Sequence, residues 1–228
     1  MTITTCIFDA YGTLFDVAAA ARLAAEEPGQ GHWADKWPAL AADWRAKQLQ
    51  YTWLRAITGD HCDFWQVTQN GLDWALEKQG LEGDAELRER LLALYWELQA
   101  YPEVPQMLAA LKSAGLNTAI LSNGSPDMLN GAVGSAGLEE LLDDVLSVES
   151  VGIFKPAKQV YDMVGARFDC TPEQVLFVSS NGWDAAGAAA YGFRTVWVNR
   201  AGEPMDRLPG RPGEVLSDLT RIPELAGA

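Results

Sequence analysis

Cysteine is scarce in this chain. There are three in 228 residues, Cys6, Cys62 and Cys170, far apart and with no CxxC pair. That spacing supports neither a disulfide framework nor a zinc knuckle. Histidine is scarcer still: His32 and His61 fall in loop-like stretches with no carboxylate set around them, and neither reads as catalytic. The "GDHCD" run at 59–63 has a metal-like composition but is too compressed to wrap one ion, and reads as a surface loop. Positive charge is in deficit, with 17 Lys and Arg against 31 Asp and Glu and a formal net charge of -14. Such a surface argues against nucleic acid and anionic membranes as partners. An anionic substrate would have to be held by locally placed cations. No apolar run approaches the roughly 20 residues that span a bilayer. The opening "MTITTCIFDAYG" has neither a basic start nor a long apolar stretch, so no secretory signal is expected and a reducing cytoplasm is the expected compartment. The "NGS" at 123–125 therefore carries no glycosylation meaning.

What is present is apolar and periodic. Hydrophobic residues make up 48% of the chain, enough for one sizeable core or a core with a smaller partner domain. "TTCIFD" (4–9) reads as a buried strand ending on an acid, and "NTAILSN" (117–123), "QVLFVSSN" (174–181) and "FRTVWVN" (193–199) repeat the pattern. "DVLSV" (144–148) adds a further strand. Helical segments at 103–115, 125–137, 157–168 and 183–192 lie between them. Alternation of this kind predicts an α/β fold, with right-handed crossovers and a Rossmann-like parallel sheet covered on both faces.

Residues 17–98 interrupt the alternation. Stretches 43–58, 63–80 and 84–100 read as consecutive amphipathic helices with no strand between them. The expected organisation is a core of residues 1–16 and 99–228, with a helical cap subdomain of residues 17–98 inserted after the first strand. A Pro/Gly-rich tail, "RAGEPMDRLPGRPGEV", leads to one short last element.

Ligands of open parallel sheets bind beyond the carboxyl ends of the strands. Polar residues collect there: Asp9 after the first strand, Ser122 and Asn123 after "TAIL", and Ser179, Ser180 and Asn181 after "VLFV", with Asp184 one turn later. "GIFKP" contributes Lys155 before another helix. Singly, each has an ordinary structural explanation: Ser and Asn cap helices and form turns, and an acid suits a helix N-terminus. Together, four strand ends bearing polar groups, with acids and one lysine among them, point to a site.

The set "DAYGT…LSNGS…KP…VSSNGWD" resembles the haloacid dehalogenase superfamily, over essentially the whole chain and with its motifs in order. Most members are magnesium-dependent phosphatases with a second Asp two residues after the nucleophile and paired acids in the last motif. Here Tyr11 occupies the first of those positions and Asp184 is the single acid of "SSNGWD". A hard cation needs several oxygen ligands, and a phosphate ester needs a proton on its leaving group. A halide leaves with neither. "DAYGTLFD", "WRAKQLQYTWLR", "LSNGSP" and "FVSSNGWDAAGA" are similar to the L-2-haloacid dehalogenase branch. That resemblance implies hydrolysis of short L-2-haloacids to D-2-hydroxy acids without metal or other cofactor, through an ester on Asp9.

The same resemblance implies roles for the matching positions. Asp9 is the nucleophile. Lys155 supports it and helps hold the substrate carboxylate, together with Ser122 and backbone around Ala10 and Tyr11. Arg45, Asn123 and Trp183 form a halide cradle. Asp184 is the general base for ester hydrolysis or the group that orients one, with Thr13, Ser179 and Asn181 placing the water, and Tyr161 lies near Lys155. Tyr11, Leu49, Phe64 and Trp183 wall the substrate's alkyl group. Each also has a plainer reading: Thr13 and Ser122 as caps, Leu49 and Phe64 as cap core, Tyr161 as a core tyrosine, and Arg45 alone as a solvated helix residue. Ala46 stands where a larger polar residue can occur, which would widen the pocket. A homodimer through the Trp- and Leu-rich helix near 37–57 is expected. Two rival readings are a magnesium-dependent phosphatase of small metabolites and a catalytically silent binder of small anions.

Overall fold

The computed structural model describes residues 2–17, 19–27, 33–96 and 98–228; His32 lies outside the described residues. The chain forms β1 (Thr5–Phe8), then α1 (Ala19–Glu26), α2 (Trp37–Thr58), α3 (Phe64–Lys78), α4 (Ala85–Leu94) and α5 (Val104–Ser113). It continues through β2 (Asn117–Ser122), α6 (Pro126–Ser135), β3 (Asp144–Ser147), α7 (Lys158–Phe168) and β4 (Val175–Ser179). The last elements are α8 (Gly182–Tyr191), β5 (Arg194–Val198), β6 (Glu214–Leu216) and α9 (Ile222–Ala226).

The six strands make one sheet in the order β3-β2-β1-β4-β5-β6, with every neighbouring pair parallel. β1 and β4 are buried at every residue, as the centre of a sheet covered on both faces requires. Strand order reverses between β1 and β4, so the crevice at a parallel sheet's carboxyl edge opens there. Asp9 sits at that point, its N–H donating 2.9 Å to the Val178 carbonyl.

Helices α1–α4 follow β1 without an intervening strand among the described residues. Asp63 caps α3 by accepting from the Gln66 N–H at 2.8 Å, and Asp84 caps α4 by accepting from Leu87 at 2.9 Å. α2 ends at Gly59, whose left-handed φ of 73° suits a residue without a Cβ. The two ends of the helical segment run side by side. Phe15 and Ala100 form an antiparallel bridge, flanked by Asp16 N–H to Gln99 carbonyl at 3.0 Å and Tyr101 N–H to Leu14 carbonyl at 2.9 Å. Among the described residues, no helix is long and apolar enough to cross a membrane.

Three sequence expectations change. The helix expected over 84–100 stops at Leu94, because Tyr95 turns inward to meet Trp44 and Gln48. The tail adds a sixth strand, β6, too short for its pattern to register in sequence. The 59–63 loop is anchored to the sheet domain: His61 Nε2 donates to Glu149 at 2.9 Å, and the His61 ring lies 4.7 Å from that of Phe154.

Candidate active site

Asp9 is 6% exposed and its carboxylate is fully engaged. Lys155 Nζ donates to Oδ1 at 3.2 Å, while Thr13 Oγ1 at 3.0 Å and Asn181 Nδ2 at 2.9 Å donate to Oδ2. Residues 10–15 form a tight turn in which the Ala10 carbonyl accepts from Leu14 and Phe15 at 2.9 and 3.1 Å. Gly12 holds φ 85° in that turn, and a Cβ there would meet Ser180 Oγ at 3.0 Å. The turn carries Thr13 under Ser180, whose N–H donates 2.8 Å to the Thr13 hydroxyl. Thr13 thereby joins β1 to the end of β4. Its cap reading gives way to that cross-strand role.

Lys155 is buried between two carboxylates, 3.2 Å from Asp9 and 2.8 Å from Asp184. Burial alone would lower its pKa; the charges of Asp184 and Asp9 outweigh that and raise it above the ordinary lysine value. Asp184, at the start of α8, is also fully buried. Burial lifts its pKa above the usual carboxylate range; Lys155 opposes the rise, Asp9 adds to it, and the bond from Lys155 and the 2.8 Å bond from Tyr161 hold the charged form in place. Tyr161 is buried on α7, and burial with the neighbouring Asp184 charge drives its hydroxyl far from ionisation. It serves as a donor.

The Ser122 hydroxyl accepts from the Gly124 N–H at 3.0 Å, and the Ser179 hydroxyl accepts from the Asn181 N–H at 3.1 Å. Both shape the turns that leave the strands. Asn123 Oδ1 accepts from the Lys155 N–H at 2.9 Å, which ties the lysine loop to β2. Gly124 permits close approach, since a Cβ there would lie 2.8 Å from the Tyr11 ring.

From the helical segment, Arg45 reaches the sheet: Nη2 donates 3.1 Å to Asn181 Oδ1. The buried Tyr11 ring stacks on Phe64 at 5.8 Å and tilts against Tyr95 at 5.5 Å. The Tyr11 hydroxyl and Trp183 Nε1 are buried with no hydrogen-bond partner among the described residues. Trp183 packs edge-on against Trp53 of α2 at 5.5 Å. A cavity of about 450 Å³ is lined by Leu49, Asn181 and Trp183 together with Gly12, Ser180 and Arg200. Ala46 is exposed on α2, so its small size widens no wall of this site. Gln48, Tyr95 and Arg200 were not anticipated. Arg200 Nη2 donates 3.2 Å to the Thr13 carbonyl and pairs with Glu103 at 2.8 Å, fixing the turn from behind.

The donor set suits no hard cation: Lys155 already stands between the two acids. Among the described residues, no group of three His, Cys, Asp or Glu side chains is placed to hold a metal.

A parallel sheet with an acid at the central strand end, a buried lysine beneath it and helices inserted after that strand defines a hydrolase of the haloacid dehalogenase class. The haloacid dehalogenase-like hydrolase family model matches residues 3–192, and the chain belongs to that family. Among curated relatives, it is 45% identical over 223 residues to (S)-2-haloacid dehalogenase 1 of a Pseudomonas species, covering 98% of this chain and 96% of that one. It is 43% identical to (S)-2-haloacid dehalogenase 4A of Burkholderia cepacia, covering 89% and 85%. The solved structure of the Xanthobacter autotrophicus L-2-haloacid dehalogenase with chloropropionic acid covalently bound superposes with a TM-score of 0.88. That pair shares 36% identity over 100% of this chain and 99% of that one.

Proposed function

We propose that this chain is an (S)-2-haloacid dehalogenase that converts short L-2-haloalkanoates to D-2-hydroxy acids through an ester on Asp9. The observation that carries the reading is the Asp9–Lys155–Asp184 arrangement at the β1 end, with Tyr11 where a phosphatase would keep its proton-donating acid.

In the first step an Asp9 carboxylate oxygen attacks C2 from the side opposite the halogen. The carbon–halogen bond breaks, and the halide departs with the electron pair. Arg45, Asn123 and Trp183 receive it; Trp183 offers a buried N–H that has no acceptor among the described residues. Lys155, Ser122 and the backbone at Ala10 and Tyr11 hold the substrate carboxylate, while Tyr11, Leu49, Phe64 and Trp183 border its alkyl group. In the second step Asp184 takes a proton from water, which attacks the Asp9 carbonyl carbon. The ester C–O bond breaks, the hydroxy acid leaves with the proton returned from Asp184, and the Asp9 carboxyl formed releases its proton to solvent, which restores the nucleophile. A pKa raised by burial suits an acid in that exchange. Thr13, Ser179 and Asn181 place the water, and Tyr161 steadies Asp184. Because C2 is attacked once, its configuration inverts once.

Residues 17–98 act as the cap and residues 1–16 with 99–228 as the catalytic core, a division supported by the bridge that joins segments 14–16 and 99–101. The cytoplasm is the compartment that suits three unpaired cysteines.

The test is halide release from L- and D-2-chloropropionate in excess EDTA. Release from the L form alone, unchanged by chelation and giving D-lactate, is expected. No release from either, with magnesium-dependent turnover of a phosphate ester instead, would sink the proposal. We further expect a homodimer through α2, on which Leu54 and Ile57 are 50% and 81% exposed. Sedimentation at micromolar concentration should give twice the chain mass; replacing both residues by Ser should give the monomer.

A further inference from the structure

We infer that Gln48 is a positioning residue for the halide-releasing step: it holds the Arg45 guanidinium where the departing halide needs it. The inference rests on the dehalogenase reading above and on Arg45 as a halide ligand.

Gln48 is 1% exposed, three residues after Arg45 on α2. A buried amide must find partners for both ends, and these partners fix its orientation. Gln48 Oε1 accepts from Arg45 Nη1 at 2.9 Å, and Nε2 donates to Thr68 Oγ1 at 2.7 Å and to the Tyr95 hydroxyl at 3.1 Å. Thr68 Oγ1 in turn donates to the Phe64 carbonyl at 2.7 Å. That carbonyl cannot donate, so the polarity of the chain is set from the α3 backbone outward. Reversal of the Gln48 amide would face Arg45 with a second donor.

The chain continues past Arg45. Nη2 donates to Asn181 Oδ1 at 3.1 Å, and Asn181 Nδ2 donates to Asp9 Oδ2 at 2.9 Å. Arg45 is thus held by two amide oxygens, Gln48 from the helical segment and Asn181 from the sheet. Neither oxygen carries a full charge. The guanidinium keeps its positive charge for the halide, which a carboxylate at either place would neutralise. An amide suits that position; an acid would hold Arg45 as firmly and weaken its purpose.

A misplaced Arg45 should harm the poorer leaving group more. We would compare kcat/KM for L-2-chloropropionate and L-2-bromopropionate in wild type, Gln48→Met, Thr68→Val, Arg45→Ala and the Gln48→Met/Arg45→Ala double variant. Met keeps the volume of Gln48 and removes its hydrogen bonds; Val does the same for Thr68, and is the readout should Gln48→Met fail to fold. In Gln48→Met the chloride substrate should lose about tenfold and the bromide about threefold, raising the bromide-to-chloride ratio about threefold. Thr68→Val should move the ratio the same way by less. Arg45→Ala should raise it at least as much, and adding Gln48→Met should then change it no further.

Equal losses on both substrates, or a full additional loss in the double variant, would overturn the inference and leave the halide role of Arg45 standing. An unchanged ratio in Arg45→Ala would remove that role and this inference with it. Absence of halide release from the wild type would overturn the dehalogenase reading itself.

Discussion

Replacement of Asp9 by Asn is expected to abolish turnover of L-2-chloropropionate, with a loss of at least ~10⁴-fold, the scale seen when a covalent nucleophile is removed. The substitution preserves shape, so the loss reports chemistry. An amide oxygen carries no full charge with which to displace halide. The protein should still fold, because Lys155 keeps its bond to Asp184 at 2.8 Å and the buried turn at residues 10–15 is unchanged. The amide can orient only one oxygen: its Oδ1 can face Lys155, or Thr13 and Asn181, which now meet it from opposite sides. Activity must be read on freshly purified protein, since deamidation would restore the carboxylate. A single turnover of wild type in ¹⁸O-water gives the complementary result. The label should enter Asp9, because water attacks the enzyme's carbonyl carbon, and the hydroxy acid should carry unlabelled oxygen from Asp9. Label found first in the product would mean direct attack of water on C2 and would end the ester mechanism.

Residues at the strand ends were legible in sequence because a parallel sheet has few places for function. An acid after "CIF", Ser-Asn after "TAIL" and Ser-Ser-Asn after "VLFV" are polar residues where buried strands stop, and registry carries them to one edge. Lys155 was legible because it sits between a strand and a helix in the same alternation. The residues that set Arg45 were not. Gln48 and Thr68 are polar positions inside amphipathic helices, where a polar residue normally faces water. Only the packing of α2 against α3, with Tyr95 folding over both, buries them and makes their hydrogen bonds obligatory. Tyr95 itself read as the continuation of a helix. Its inward turn ends α4 and closes the wall beside Tyr11, an outcome of tertiary contact that local pattern does not encode.

Lys155→Met should damage activity and stability together, and should be the more damaging of the two changes to stability. The side chain is 1% exposed and is the cation between Asp9 and Asp184, so Met leaves two buried carboxylates facing an apolar group. Breaking a buried ionic set from one side costs about 3–5 kcal/mol, and activity should fall at least ~10³-fold as the nucleophile loses the cation that orients it. Arg should restore little: its planar, longer head does not fit a point-charge position between two acids. The pH dependence distinguishes this loss from simple mispacking. In wild type the folded Lys155 pKa is raised, so its stabilising contribution is complete below the ordinary lysine value of about 10.4 and is lost only as pH rises through the higher folded value. The Asp184 pKa is raised as well, so its contribution favours the folded state in acid and is lost as pH rises through that raised value. Without Lys155 only the Tyr161 hydrogen bond opposes burial at Asp184, and the raised value should climb further. The Tm deficit of Lys155→Met relative to wild type should therefore be larger at pH 8 than at pH 4.5, where Asp184 takes up a proton more readily. A deficit equal at both pH values would show that the methionine merely packs badly and that Lys155 does not hold Asp184 in its charged form.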